Sequence, residues 1–229
     1  MSPESPILCY VTDRVTLPGG EAALAAAIRS ALDAGMHWIQ IREKTLPTRR
    51  LLELTRGAVQ HAGETAAGRA RIILNDRLDV ALAAAAHGVH LGGMSMPVAE
   101  VHRWLRSSPV PAPRTPAADA PARVPPGFLL GRSCHSLPEA QQAQRDGASY
   151  VILGPIFSTP SKIEFGEPLG LARLAEVCRA LRIPVLAIGG ITVESAPQCL
   201  SAGAAGLAAI RLFQWSPQLP AIVARLKKT

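Results

Sequence analysis

The plainest candidate for proton chemistry in this chain is His135, set among serines in Gly131-Arg132-Ser133-Cys134-His135-Ser136. In extended backbone the side chains alternate, so Ser133 and His135 share one face and Cys134 takes the other. An imidazole titrates near neutral pH and can accept a proton and return it. Cations able to hold a phosphate or carboxylate occur in two other strings. In Gln40-Ile41-Arg42-Glu43-Lys44 alternation aims Gln40, Arg42 and Lys44 the same way if the extended geometry continues; a solvated charge cluster is the competing reading. In the run from Gly154 to Lys162, the hydroxyls of Thr159 and Ser161 lie beside the ammonium of Lys162. Asn75-Asp76-Arg77 offers a carboxamide and a carboxylate, suited either to a ligand or to capping a helix. Gly189 and Gly190, with the backbone amides of Ala209 and Ile210, suit a phosphate; for the glycines a tight turn is the structural alternative. The remaining histidines (His37, His61, His87, His90 and His102) fall early in strands, within helices or beside glycine turns, and read as structural.

Most of these residues need strand ends to hold them, and the sequence supplies such ends. Short β-branched runs at 7–11, 38–42, 71–74, 88–91, 128–133, 150–154, 185–188 and 206–210 alternate with Ala/Leu-rich stretches. The latter predict helices near 21–34, 48–62, 77–86, 97–106, 137–146, 169–181, 192–202 and 217–227. Eight strand–helix pairs make an α/β fold, a (β/α)8 TIM barrel, in a single domain over 1–229. A doubly wound sheet is the competitor, but no G-x-G-x-x-G follows a strand. In a barrel the chemistry sits at the C-terminal ends of the strands, where all the candidates above fall. The prolines between 107 and 127 predict a flexible or extended loop joining helix four to strand five, on the opposite face.

Size and composition agree with one buried core: 229 residues, 48% hydrophobic and 18% charged. The net charge of +7 favours anionic partners without choosing among them. With 4% aromatics and no nucleic-acid motif, base stacking has little support, so no nucleic-acid partner is expected. The four cysteines show no C-x-x-C spacing, which argues against zinc or a disulfide framework and for a reduced, cytoplasmic setting. No signal peptide or membrane span is read from the sequence.

Taken together, Tyr10 to Arg14, Ile39 to Lys44, Ile73 to Arg77, Gly88 to Gly92, Gly131 to Ser136, Gly154 to Lys162 and Ala187 to Gly190 resemble the thiamine phosphate synthase/TenI superfamily of (β/α)8 barrels. The resemblance runs in the family's order and covers nearly the whole chain outside the proline insertion. It implies a small-molecule thiazole phosphate substrate and a homodimer. Thiamine phosphate synthases couple a pyrimidine methyl diphosphate to thiazole phosphate with Mg²⁺, held by the aspartate matched by Asp76 and by a second aspartate in Gly-Gln-Glu-Asp. Here Gly92-Gly93-Met94-Ser95 stands at that second position. That departure, with the Gly-Arg-Ser-x-His-Ser string, gives the expectation of a TenI-type thiazole tautomerase that needs no metal. On it His135 shuttles the proton that aromatises a carboxythiazole phosphate. Arg42, Lys44, Asn75, Ser133, Thr159, Ser161, Lys162, Gly189, Gly190, Ala209 and Ile210 then bind the substrate. The synthase, with Mg²⁺, is the alternative.

Overall fold

The computed structural model describes residues 5–65, 70–107, 124, 127–158, 167–214 and 216–229. Eight parallel strands close into a barrel in sequence order: β1 (Ile7–Val11), β2 (Trp38–Ile41), β3 (Arg71–Asn75), β4 (Gly88–Leu91), β5 (Leu129–Cys134), β6 (Tyr150–Leu153), β7 (Val185–Ile188) and β8 (Gly206–Ala209). Pairing of β8 with β1, Tyr10 opposite Ala209, completes the ring. The helices are α1 (Gly20–Asp33), α2 (Thr48–Glu64), α3 (Leu78–Ala83), α4 (Val98–Ser107), α5 (Leu137–Arg145), α6 (Gly170–Ala180), α7 (Ala196–Ser201), α8 (Arg211–Gln214) and α9 (Leu219–Leu226). None of the described helices is long and apolar enough to cross a membrane. This is the (β/α)8 barrel that the alternation of strand and helix patterns predicts.

Two apolar layers hold it together, as period-two strands require when both faces are covered. One layer lies between strands and helices, where α1 presents Leu24, Ile28, Ala31 and Leu32 from a single helical face. The other fills the barrel with Cys9, Val11, Ile73, Tyr150, Ile152, Leu186 and Ala208. Within it the Trp38 ring meets the Tyr150 ring edge-on, with centroids 4.7 Å apart. Gly131 is required here: a Cβ would run into the Tyr150 ring and hydroxyl and lie 2.6 Å from His90 Nδ1.

Several predicted boundaries shift. Strand β2 ends at Ile41, and Lys44 lies in a turn, so the alternation that would aim Lys44 with Gln40 and Arg42 does not reach it. The helix expected over 192–202 starts only at Ala196, because Thr192 and Ser195 form a hydroxyl turn, Ser195 Oγ accepting from Thr192 N–H at 2.9 Å. Helix α8, a single turn after β8, has no counterpart in the sequence reading. Of the predicted proline-rich loop, Ser107 closes α4, and all but Val124 and Gly127 of the rest lies outside the described residues.

Candidate active site

The floor of the barrel mouth is a buried polar chain. His90 on β4 meets the Tyr150 hydroxyl through Nδ1 at 3.2 Å and the Ser133 hydroxyl through Nε2 at 2.8 Å. Burial depresses the His90 pKa to about 3; Asp76 opposes that shift, while Arg132 and Arg42 add to it. The imidazole is therefore neutral at physiological pH and joins two hydroxyls, using one nitrogen as donor and the other as acceptor. Gln40 shares the inward register of Trp38 on β2, and its buried Nε2 has no hydrogen-bond partner among the described residues. A buried donor left open in this way is suited to a ligand.

A clamp between the loops after β1 and β2 sets the cations. Thr12 Oγ1 donates to Glu43 Oε1 at 2.6 Å and accepts from Arg42 N–H at 3.0 Å. Glu43 also accepts from Arg14 N–H at 3.1 Å. Burial raises the Glu43 pKa, while Thr12, Arg14 N–H and the Arg14 guanidinium pull it back. The clamp fixes the backbone that carries Arg42 and Lys44. A cleft of about 150 Å³ lies beside it, lined by Glu43, Lys44, Asn75, Asp76 and Arg77 among others.

Asp76 does not cap α3. It adopts φ +63°, with its N–H on the His90 carbonyl at 2.9 Å, and its carboxylate turns to the β4 loop. Aspartate tolerates this left-handed geometry better than most residues. Asp76 Oδ1 accepts from the Ser95 hydroxyl in a short contact and from Gly92 N–H at 3.3 Å, and Oδ2 accepts from Asn75 Nδ2 at 2.6 Å. Arg77 turns to Asp79 and Thr48, away from this group. Arg132 reaches from β5 to the Gly92 carbonyl at 2.5 Å, holding the β4 loop in place. Sequence reasoning named neither contact, because residues 19 and 40 positions apart leave no local periodic signal.

His135 follows β5 directly and is exposed; its Nδ1–H donates to the Gly154 carbonyl at 2.5 Å. Its backbone N–H donates to Glu139, and Ser136 caps α5 by accepting from Glu139 N–H at 3.4 Å. Gly189 and Gly190 have φ of +97° and +65°, and a Cβ at either would strike the β6 loop, 2.7 Å from Pro155 at the first and 2.6 Å from the Ser158 carbonyl at the second. Both glycines are therefore demanded by backbone packing against the β6 loop. Ala209 ends β8 and Ile210 leads into α8, whose Gln214 accepts from Tyr10 Oη at 2.8 Å and from Asp13 N–H at 2.9 Å. Arg42, Asn75, Ser133, His135, Gly189, Gly190, Ala209 and Ile210 thus gather at the C-terminal ends of the strands, with Lys44 in the turn beside them. Thr159, Ser161 and Lys162 lie outside the described residues.

The architecture is that of the (β/α)8 barrel class, here with arginines, a lysine, glycine turns and a one-turn helix around the C-terminal mouth. A family model described as thiamine monophosphate synthase matches residues 8–109 and 110–213, and the chain belongs to that family. It is 39% identical to a thiamine-phosphate synthase of Roseiflexus castenholzii over 92% of this chain and 82% of that protein. It is 41% identical to one of Methanoculleus marisnigri over 88% and 84%. Among solved structures, a thiamine phosphate pyrophosphorylase of Pyrococcus furiosus superposes with a TM-score of 0.78 at 30% identity, covering 99% of this chain and 96% of that one.

These relatives are named as synthases, so the expected tautomerase, an isomerase, is corrected to the alternative. The physical reason lies in the β5 string that suggested it. Gly131 makes room for Tyr150, Ser133 holds His90, His135 ties β5 to the β6 loop, and Ser136 caps α5. Each residue serves the barrel itself, so the string does not tell one reaction from another.

Proposed function

We propose that this chain is a thiamine-phosphate synthase, a transferase that joins hydroxymethylpyrimidine diphosphate to thiazole phosphate. In that reaction the bond between the pyrimidine methylene carbon and the diphosphate oxygen breaks, a carbon–nitrogen bond to the thiazole forms, and pyrophosphate leaves. The observation that carries the reading is the cationic mouth on a barrel 36–41% identical, over most of its length, to six proteins named thiamine-phosphate synthase.

The departing diphosphate develops negative charge, and preset cations stabilise such charge without reorganising. Arg42 and Lys44, with their backbone fixed by the Thr12–Glu43 clamp, take that part. Gln40 Nε2 and Asn75 offer donors for the pyrimidine side, and Ser133, oriented by His90, faces the same space. Gly189, Gly190, Ala209 and Ile210 receive the thiazole phosphate through backbone amides, and Thr159, Ser161 and Lys162, outside the described residues, are assigned to the same anion on the family resemblance alone. His135 has no proton to carry in this reaction; its part is to hold the β5 and β6 loops together.

Mg²⁺ is commonly bound through one or two carboxylates plus substrate phosphates. Asp76 supplies one carboxylate and Ser95 a neutral oxygen, which fit the ion in the company of diphosphate. A cation held there would neutralise charge on the leaving group.

The deciding experiment incubates the protein with both halves and Mg²⁺ and measures thiamine phosphate, oxidised to its fluorescent thiochrome, beside released pyrophosphate. Stoichiometric formation of both products is expected; their absence refutes the reading. A homodimer, implied by the family resemblance, is checked by light scattering on the eluted protein.

A further inference from the structure

The β4 loop departs from a metal site built by the protein alone, and the surrounding charges indicate what completes it. Among the described residues no group of three or more His, Cys, Asp or Glu side chains could hold a metal ion. Asp76 stands by itself, and both its oxygens are already occupied: Oδ1 by the Ser95 hydroxyl and Gly92 N–H, Oδ2 by the Asn75 carboxamide. Ser95 Oγ also accepts from Gly92 N–H at 2.6 Å, and Arg132 pins the loop through the Gly92 and Gly93 carbonyls at 2.5 and 3.5 Å. The hydroxyl is therefore held on the carboxylate, where it can offer a neutral oxygen and no charge. Arg132 sits on the carbonyls of this same loop, and Lys44 shares a cleft with Asp76. The other carboxylate of that cleft, Glu43, is engaged by Thr12 and Arg14. One carboxylate beside a guanidinium and an ammonium does not by itself collect a divalent cation.

We infer that Ser95 makes this a site assembled by its substrate: the protein alone holds no divalent cation, and the metal enters only together with a diphosphate. The diphosphate reverses the local charge and contributes the anionic oxygens that Ser95 does not. The inference rests on the synthase reading, and it concerns this chain's own β4 loop.

Equilibrium dialysis of the full-length protein against Mn²⁺ tests it, with and without inorganic pyrophosphate, counting protein-associated metal and pyrophosphate. Wild type is expected to retain no Mn²⁺ alone at sub-millimolar concentration and to retain both ions when pyrophosphate is present. Ser95→Asp is expected to bind Mn²⁺ alone at least about tenfold more tightly, by restoring a second anionic ligand. Ser95→Ala, the smaller change, is expected to gain nothing, since what is missing is an anion and not access. Circular dichroism confirms that each variant is folded. Mn²⁺ binding by wild type alone as tight as by Ser95→Asp overturns the inference, as does an equal gain in Ser95→Ala, or failure of pyrophosphate to bring metal to the wild type. None of these depends on the coupling assay, so the inference can fail while thiamine phosphate is still formed, and the reverse.

Discussion

Replacing Tyr150 by Phe tests the polar chain beneath the site. The Tyr150 hydroxyl is buried, with the residue 1% exposed, and its partner is His90 Nδ1 at 3.2 Å. Deleting it costs little volume and leaves that ring nitrogen facing an apolar interior. A hydrogen bond of this length between neutral groups contributes about 1 kcal/mol, and an orphaned buried group raises the loss to about 1–2 kcal/mol. For a chain of this size, each kcal/mol lowers the melting midpoint by about 2–4 °C, so a drop of roughly 2–8 °C is expected. Ser133→Ala should cost a similar amount, from the other nitrogen. The double variant should cost more than the sum. In either single variant the imidazole can turn its N–H toward the surviving hydroxyl, leaving only a lone pair unpaired, whereas in the double variant the N–H itself is orphaned. Urea unfolding of the four proteins gives the cycle, with an expected excess of about 0.5 kcal/mol or more. Strict additivity, or a Tyr150→Phe protein as stable as wild type, would refute the tautomer argument.

Arg42→Ala should lower coupling activity by at least about tenfold through loss of a charge-assisted contact to diphosphate; unchanged steady-state kinetics would remove Arg42 from the site. Gly131→Ala forces a methyl against Tyr150 and His90 and should cost about 1–3 kcal/mol or more, read by the same urea titration. Acid should destabilise the protein, because His37, His87 and His90 all have pKa values lowered, chiefly by burial. A lowered folded pKa means stability lost as pH falls below the unfolded value, near 6.5, down to the folded one. For His90, at about 3, that is roughly 1.4 kcal/mol per pH unit across the window. Glu43, with a raised pKa, acts in the opposite sense only around its own carboxylate range. A melting midpoint that stays flat from pH 7 to pH 5 would contradict this.

The barrel was legible because its signals are local. Runs such as Val-Leu-Ala-Ile at β7 and Gly-Val-His-Leu at β4 are short, apolar and bounded by turn residues, and both strands fall at the predicted positions. The candidate site was legible as a set of strand ends, since a barrel brings its C-terminal ends together whatever the intervening sequence. The contacts that give the site its character were not. Arg211–Gln214 is too short for a periodic pattern, so Gln214 went unread. The Lys44 turn interrupts an alternation that looks continuous on paper. The Ser95–Asp76 contact joins two loops through tertiary geometry alone. The reaction was misread for a related cause: a string that looked like a reactive constellation consists of residues each occupied in holding the barrel.

Gln214 also bears on the order in which the molecule comes into being. Its carboxamide accepts from Tyr10 and Asp13 and donates to Asp13 and Thr16, bridging 198 to 204 residues of chain, on the same seam where β8 pairs with β1. Contacts of such separation form late, since the ends must find each other across the largest loop the chain can make. During synthesis the first seven strands leave the ribosome before their ring has a partner for its open edge. Thr12 is held early by Glu43 on the neighbouring loop, whereas the Asp13–Thr16 turn gains its contacts only when Gln214 is in place. The ring of eight strands therefore makes its last pairing only once β8 and the turn that follows it have reached β1.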